Sequence, residues 1–104
     1  MHAEIEKHRE TLTALCQRYG VVRLEVFGSA ARGADFDPSA SDVDFLVELA
    51  PSDDDLARLL DLRDALEELL ARPVDLVDRR EVEMSRNYIR RRSILEGAEA
   101  VYGA

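Results

Sequence analysis

The feature that most constrains this chain is a leucine-rich stretch between two prolines, Pro51 and Pro73. Pro51-Ser52 followed by Asp53, Asp54 and Asp55 reads as a helix start. Ser52 is the expected N-cap, and the first-turn carboxylates suit the helix dipole. Leu56, Leu59, Leu60, Leu66, Leu69 and Leu70 then make a broad apolar stripe running to about Ala71. Such a stripe has to be buried against something. The candidates are on either side: residues 42–49 and 74–77 read as strands, and so do residues 21–27 further upstream, all rich in β-branched residues.

The remaining elements follow from the same periodicities. Ile5, Leu12, Leu15, Cys16 and Tyr19 share a face of a helix over residues 3–19, and Gly20 sits where a helix-ending glycine belongs. Residues 28–41 carry turn formers, with a short helix opening at Ala30-Ala31-Arg32. Residues 82–97 read as a last helix with Met84, Tyr88, Arg91 and Leu95 at helical spacing, and Val101-Tyr102 is an apolar tail that docks back on the body. The order is α-β-α-β-α-β-α. This predicts an α/β (α+β) domain with a small mixed sheet of about three strands, in which residues 1–104 form one unit.

Composition excludes several classes of function. The net charge is −8, from 22 acidic against 14 basic residues, so no direct nucleic-acid binding is expected. Cys16 is the single cysteine, which rules out an intrachain disulfide and a cysteine-rich zinc site. It reads as a small buried apolar residue. His2 and His8, six apart, are not a ligand pair on one helix face and read as surface residues. No apolar run is long enough to span a membrane, and the polar start lacks the core of a signal peptide, so a cytoplasmic protein is expected. The arginines at 79, 80, 86, 90, 91 and 92 form a basic quarter whose plain reading is a solvated helix face.

One constellation carries chemistry. Asp42 and Asp44 stand two apart on a strand, so both carboxylates leave the same face with Cα atoms about 6.6 Å apart. Two such charges repel unless a cation lies between them, and hard oxygen donors of this kind suit Mg²⁺. Alone, Asp-x-Asp is weak, because many such pairs lie on solvent faces. Here Val43, Phe45 and Val47 occupy the opposite, buried face, and Asp75 adds a third carboxylate between Val74 and Leu76 on another strand. Gly28-Ser29 ends the first strand where a glycine lets the backbone approach a ligand and helix-start N–H groups bind phosphate.

These residues resemble a known signature. Gly-Ser-Ala-Ala-Arg-Gly at 28–33, followed by Ser-Asp-Val-Asp-Phe-Leu-Val-Glu at 41–48, is similar to the motif of the DNA polymerase β-type nucleotidyltransferase superfamily. Within it, the resemblance is to the minimal nucleotidyltransferase (MNT) proteins. It extends through Arg-Pro-Val-Asp-Leu-Val at 72–77 and the arginine-rich helix before Val101-Tyr102-Gly103, covering nearly the whole chain. It implies a polymerase β-like nucleotidyltransferase fold in which Gly28 and Ser29 hold the triphosphate and Asp42 and Asp44 bind Mg²⁺. Asp75 would assist with a second metal or take the proton of the attacking hydroxyl, and Arg32 would reach the phosphates or sit on the surface.

Such proteins are commonly antitoxins of HEPN-type ribonuclease toxins. The resemblance therefore implies AMP transfer from ATP to a toxin tyrosine, and a hetero-oligomer with the toxin. An antitoxin acting by binding alone is the alternative. An antibiotic-type, small-molecule nucleotidyltransferase ranks below it, because those usually carry a second domain for the acceptor.

Overall fold

The computed structural model describes residues 3–28 and 43–103, the side chains from Ile5 onward. Its elements are α1 (Ala3–Lys7), α2 (Arg9–Arg18), β1 (Val21–Phe27), β2 (Val43–Leu49), α3 (Asp55–Leu70), β3 (Val74–Asp78), α4 (Arg79–Glu83), α5 (Tyr88–Gly97) and β4 (Glu99–Tyr102). The expected mixed sheet is present, with one more strand than the sequence predicts and the order β3-β2-β1-β4. β2 runs antiparallel to β1 and parallel to β3, while β4 closes the far edge antiparallel to β1. The parallel β2–β3 pair needs a crossover, and the leucine-rich α3 supplies it.

The sheet has two unequal faces. Leu24, Val26, Val43, Phe45, Val47 and Val74 point to one side, where Ile5, Leu12 and Cys16 of the N-terminal helices and Leu62, Leu66 and Leu70 of α3 cover them. Leu46 points to the other side, where Val82 of α4 and Ile94 of α5 enclose it with Phe27 and Val77 at the margin. The first cluster is the main core. Phe45 is fully buried in it, and Phe45→Ala is expected to cost about 3–5 kcal/mol, a large share of a domain's usual stability. Urea unfolding followed by circular dichroism measures the loss.

Four sequence expectations are corrected. The N-terminal helix breaks at His8, whose N–H bonds the Ile5 carbonyl at 3.2 Å in a tightened turn, so α1 and α2 replace one continuous helix. The cap of α3 is Asp54, not Ser52. The Ser52 hydroxyl instead donates to the Asp54 carboxylate at 2.5 Å, and that bond, aided by Arg58, holds this exposed carboxyl below its ordinary pKa. Of the leucine stripe, Leu66 and Leu70 are buried together with Leu62, but Leu56 and Leu60 are exposed, because a helix lying on a sheet buries only one side.

The last helix also divides. Asp78 accepts from the Arg80 N–H at 2.9 Å and starts α4 early, and Asn87 accepts from the Arg90 N–H at 3.1 Å and starts α5. Met84 and Tyr88 are left exposed, and Ile94 is the residue of α5 that is buried. The Val101-Tyr102 tail does dock back, as part of β4, with Val101 in the main core.

Cys16 is buried as expected, and desolvation pushes its thiol up to about 12. The folded chain therefore keeps a proton that the unfolded chain releases above its ordinary value near 9. Unfolded chains bind fewer protons in that range, so stability falls as pH rises from about 9 toward about 12. Cys16→Ala is expected to remove this part of the slope, as pH-dependent thermal melts would show.

Candidate active site

Two strands and one turn build the site. β2 alternates, with Val43, Phe45 and Val47 in the main core and Asp44, Leu46 and Glu48 on the other face. In the parallel ladder Asp44 stands beside Asp75 of β3. Neighbours in a ladder share a face, with backbones about 4.8 Å apart. On the other side Asp44 is opposite Phe27, the last residue of β1. Asp44 is thus half-buried between Phe27 and Asp75, and Asp75 is exposed. Both carboxylates lie beyond Leu46 and Val77, at the end of the face that α4 and α5 cover.

Gly28 closes this end. Its backbone has φ +70°, a left-handed conformation that glycine adopts without strain. A Cβ at this position would stand 2.8 Å from Asp44 Oδ2. The glycine therefore turns the chain out of β1 and leaves room for the carboxylate. Two bonds hold the starts of the strands that carry the acids. The Glu67 carboxylate accepts the Val74 N–H at 3.0 Å, and the Pro73 carbonyl accepts the Val43 N–H at 3.1 Å.

The structure thus brings Gly28, Asp44 and Asp75 together. Asp42, Ser29 and Arg32 lie outside the described residues, as does the short helix expected at 30–32. Among the described residues no group of three acidic, histidine or cysteine side chains gathers as a metal site. The described pair still fits a hard divalent cation, because two carboxylates on one face of adjacent strands repel without a countercharge.

Two residues on this face escaped the sequence reading. Phe27 reads as ordinary strand core, yet it borders Asp44. Arg79 reads as one of a run of solvated arginines, but its guanidinium reaches across the sheet to the Glu25 carboxylate, and it also pairs with Glu83 at 2.9 Å. Both partners of the Arg79–Glu25 pair are largely buried, at 16% and 12% side-chain exposure, so this bridge ties the start of α4 to β1. The alternation that turns Glu25 away from the core was the available signal; which arginine meets it was not encoded locally.

The profile of the nucleotidyltransferase domain family matches residues 8–100. The chain belongs to the nucleotidyltransferase domain family. As a nucleotidyltransferase it is similar to a solved structure described as a minimal nucleotidyltransferase, at 36% identity over 95% of both chains with a TM-score of 0.73. It shares its fold with a toxin–antitoxin structure containing AMP-PNP, at 23% identity and TM-score 0.68 over 92% of this chain and 73% of the other. A further match is a tri-AMPylated HEPN toxin from Shewanella oneidensis in complex with its MNT antitoxin. There the identity is 20% and the TM-score 0.64, over 96% of this chain and 73% of that one. Among curated proteins, no sequence matches the chain. Among the described residues, no helix is long and apolar enough to cross a membrane.

Proposed function

We propose that this nucleotidyltransferase moves AMP from ATP to a tyrosine hydroxyl of a cognate HEPN-type toxin and thereby acts as its antitoxin, in the cytoplasm, as a single domain. The observation that carries the reading is the pairing of Asp44 with Asp75 beside the Gly28 turn. The fold shared with structures that hold an ATP analogue and an AMPylated toxin supports the choice of donor and acceptor.

In this reading Asp42 and Asp44 hold Mg²⁺, with Asp75 as a further ligand or as the group that takes the acceptor's proton. The ion, when bound, neutralises phosphate charge in the transition state. The chain itself does the positioning. Gly28 turns the chain at the end of β1, and Ser29, with Arg32 as a further candidate, would bind the triphosphate oxygens. The tyrosine oxygen attacks the α-phosphorus, forming a P–O bond as the bond to pyrophosphate breaks. In the second of these roles Asp75, exposed beside Asp44 at the end of the face that α4 and α5 cover, takes the proton. As in other phosphoryl transfers, positioning and charge stabilisation account for most of the rate.

The test is the intact mass of a candidate HEPN-type partner protein after incubation with the chain, ATP and Mg²⁺. A gain of one or more AMP units that an Asp42→Asn, Asp44→Asn double variant does not produce supports the reading. An unchanged mass, with a stable complex formed by both versions, would replace it with an antitoxin that acts by binding alone.

A further inference from the structure

A cleft of about 600 Å³ opens beside the candidate site, lined by Phe27, Asn87, Ile89, Arg90, Ser93 and Ile94. It is continuous with the site, because Phe27 stands opposite Asp44 and precedes Gly28. The surface around the cleft is unusual in two respects. Met84, Tyr88 and Ile89 are large apolar side chains exposed at 81%, 57% and 78%, all at the end of α4 and the first turn of α5. Arg86 and Arg90 are exposed there as well and form no ion pair with a described residue.

The neighbouring arginines are engaged. Arg79 pairs with Glu25, Arg80 donates to the Leu49 carbonyl, Arg91 donates to the carbonyls of Glu83 and Ser85, and Arg92 pairs with Glu96. Of the arginines between Arg79 and Arg92, Arg86 and Arg90 are therefore the two whose side chains have no partner among the described residues, on a chain whose net charge is −8.

Exposed apolar side chains next to unpaired arginines have the composition of a protein interface, where methionine, aromatic residues and arginine are enriched. A nucleotide would fill a single base-sized slot, whereas this patch extends past the cleft onto the end of α4. We infer that the patch docks the acceptor-bearing segment of the protein partner. That segment is acidic, it faces Arg86 and Arg90, and it carries an apolar side chain that covers Ile89 and Met84. Docking there places the acceptor hydroxyl past Phe27 at Asp44. The inference rests on the transferase reading above and adds where the partner binds and by what chemistry.

The test uses this chain with the same HEPN-type partner protein. Complex affinity is measured by titration calorimetry without nucleotide, ATP affinity is measured separately, and AMP transfer is followed by mass. Ile89→Asp and Arg90→Glu change exposed side chains, so folding is expected to be intact. Each is expected to weaken the complex at least about tenfold and to raise KM for the partner, with ATP affinity unchanged. Leu60→Asp, exposed on α3, is expected to leave the complex as it was.

Unchanged complex affinity in both variants overturns the inference, and so does a loss confined to ATP affinity, which would make the cleft a nucleotide subsite. A complex sensitive to Ile89 and Arg90 with no mass gain from the wild type keeps the docking surface and removes the transferase reading. Transfer by the wild type at an unaltered KM in both variants does the reverse. Absence of any wild-type complex overturns the docking surface.

Discussion

Asp44→Asn is expected to lower AMP transfer by about a thousandfold or more while the chain stays folded. The side chain is half-buried between Phe27 and Asp75, and the amide is nearly isosteric with the carboxylate, so the β2 ladder has no reason to shift. What changes is charge. Asp44 and Asp75 share a face on adjacent strands, and like charges at that spacing are unfavourable without a cation. The amide keeps the shape of the side chain it replaces, so the metal-free variant is expected to melt close to the wild type.

With ATP and Mg²⁺ present the two separate. The wild type gains stability from ligand binding and the variant gains little. Loss of a charge aimed at the transition state accounts for the fall in rate. Melting curves with and without Mg²⁺ and ATP, together with single-turnover transfer, measure both effects. Transfer within tenfold of wild type would remove Asp44 from the chemistry.

The second large effect is expected at Gly28. In Gly28→Ala the new Cβ would stand 2.8 Å from Asp44 Oδ2, so the carboxylate must move, and the backbone φ of +70° becomes strained. The strain costs about 1–2 kcal/mol of stability. Displacing a reacting-site group by about an ångström costs about a hundredfold in rate. Gly20→Ala separates these contributions. Gly20 also has a positive φ, +69°, but its Cβ would meet Arg58 Nη1 at 2.6 Å, the end of a side chain that bonds the Tyr19 and Ala50 carbonyls and takes no part in the Asp44–Asp75 site. Both variants are expected to lose stability, and Gly28→Ala alone to lose transfer. Equal transfer rates in the two would mean that the turn at Gly28 serves folding only.

Much of this arrangement was legible beforehand because it is local. Strand alternation placed Val43, Phe45 and Val47 on one face and Asp44 on the other, and both assignments hold in the folded chain. Gly28 and Asp75 stood out for the same reason: a glycine at a strand end and an acid between apolar residues are visible within a few positions. Gly20 is likewise a helix-ending glycine with positive φ. Where periodicity was ambiguous, the reading failed. Leu56 and Leu60 fit a broad apolar stripe as well as Leu66 and Leu70 do, and only the position of the sheet beneath α3 decides which of them lose contact with water. Ser52 and Asp54 are both acceptable caps by residue type, and it is Asp54 that starts the helix, its carboxylate accepting from the Ser52 hydroxyl and not from a helix N–H.

The sequence by itself determined which residue types could do chemistry and on which side of each strand they stand, because those follow from the two-residue strand repeat. Only the tertiary structure decided which of them meet. Asp44 reaches Asp75 through the parallel register that the α3 crossover permits, and Arg79 meets Glu25 across 54 positions of sequence. It also gave the tail the role of a fourth strand and left Ile89 and Arg90 beside Phe27. These pairings depend on how the faces of distant elements pack to exclude water, a property of the assembled layers that no short window of residues contains.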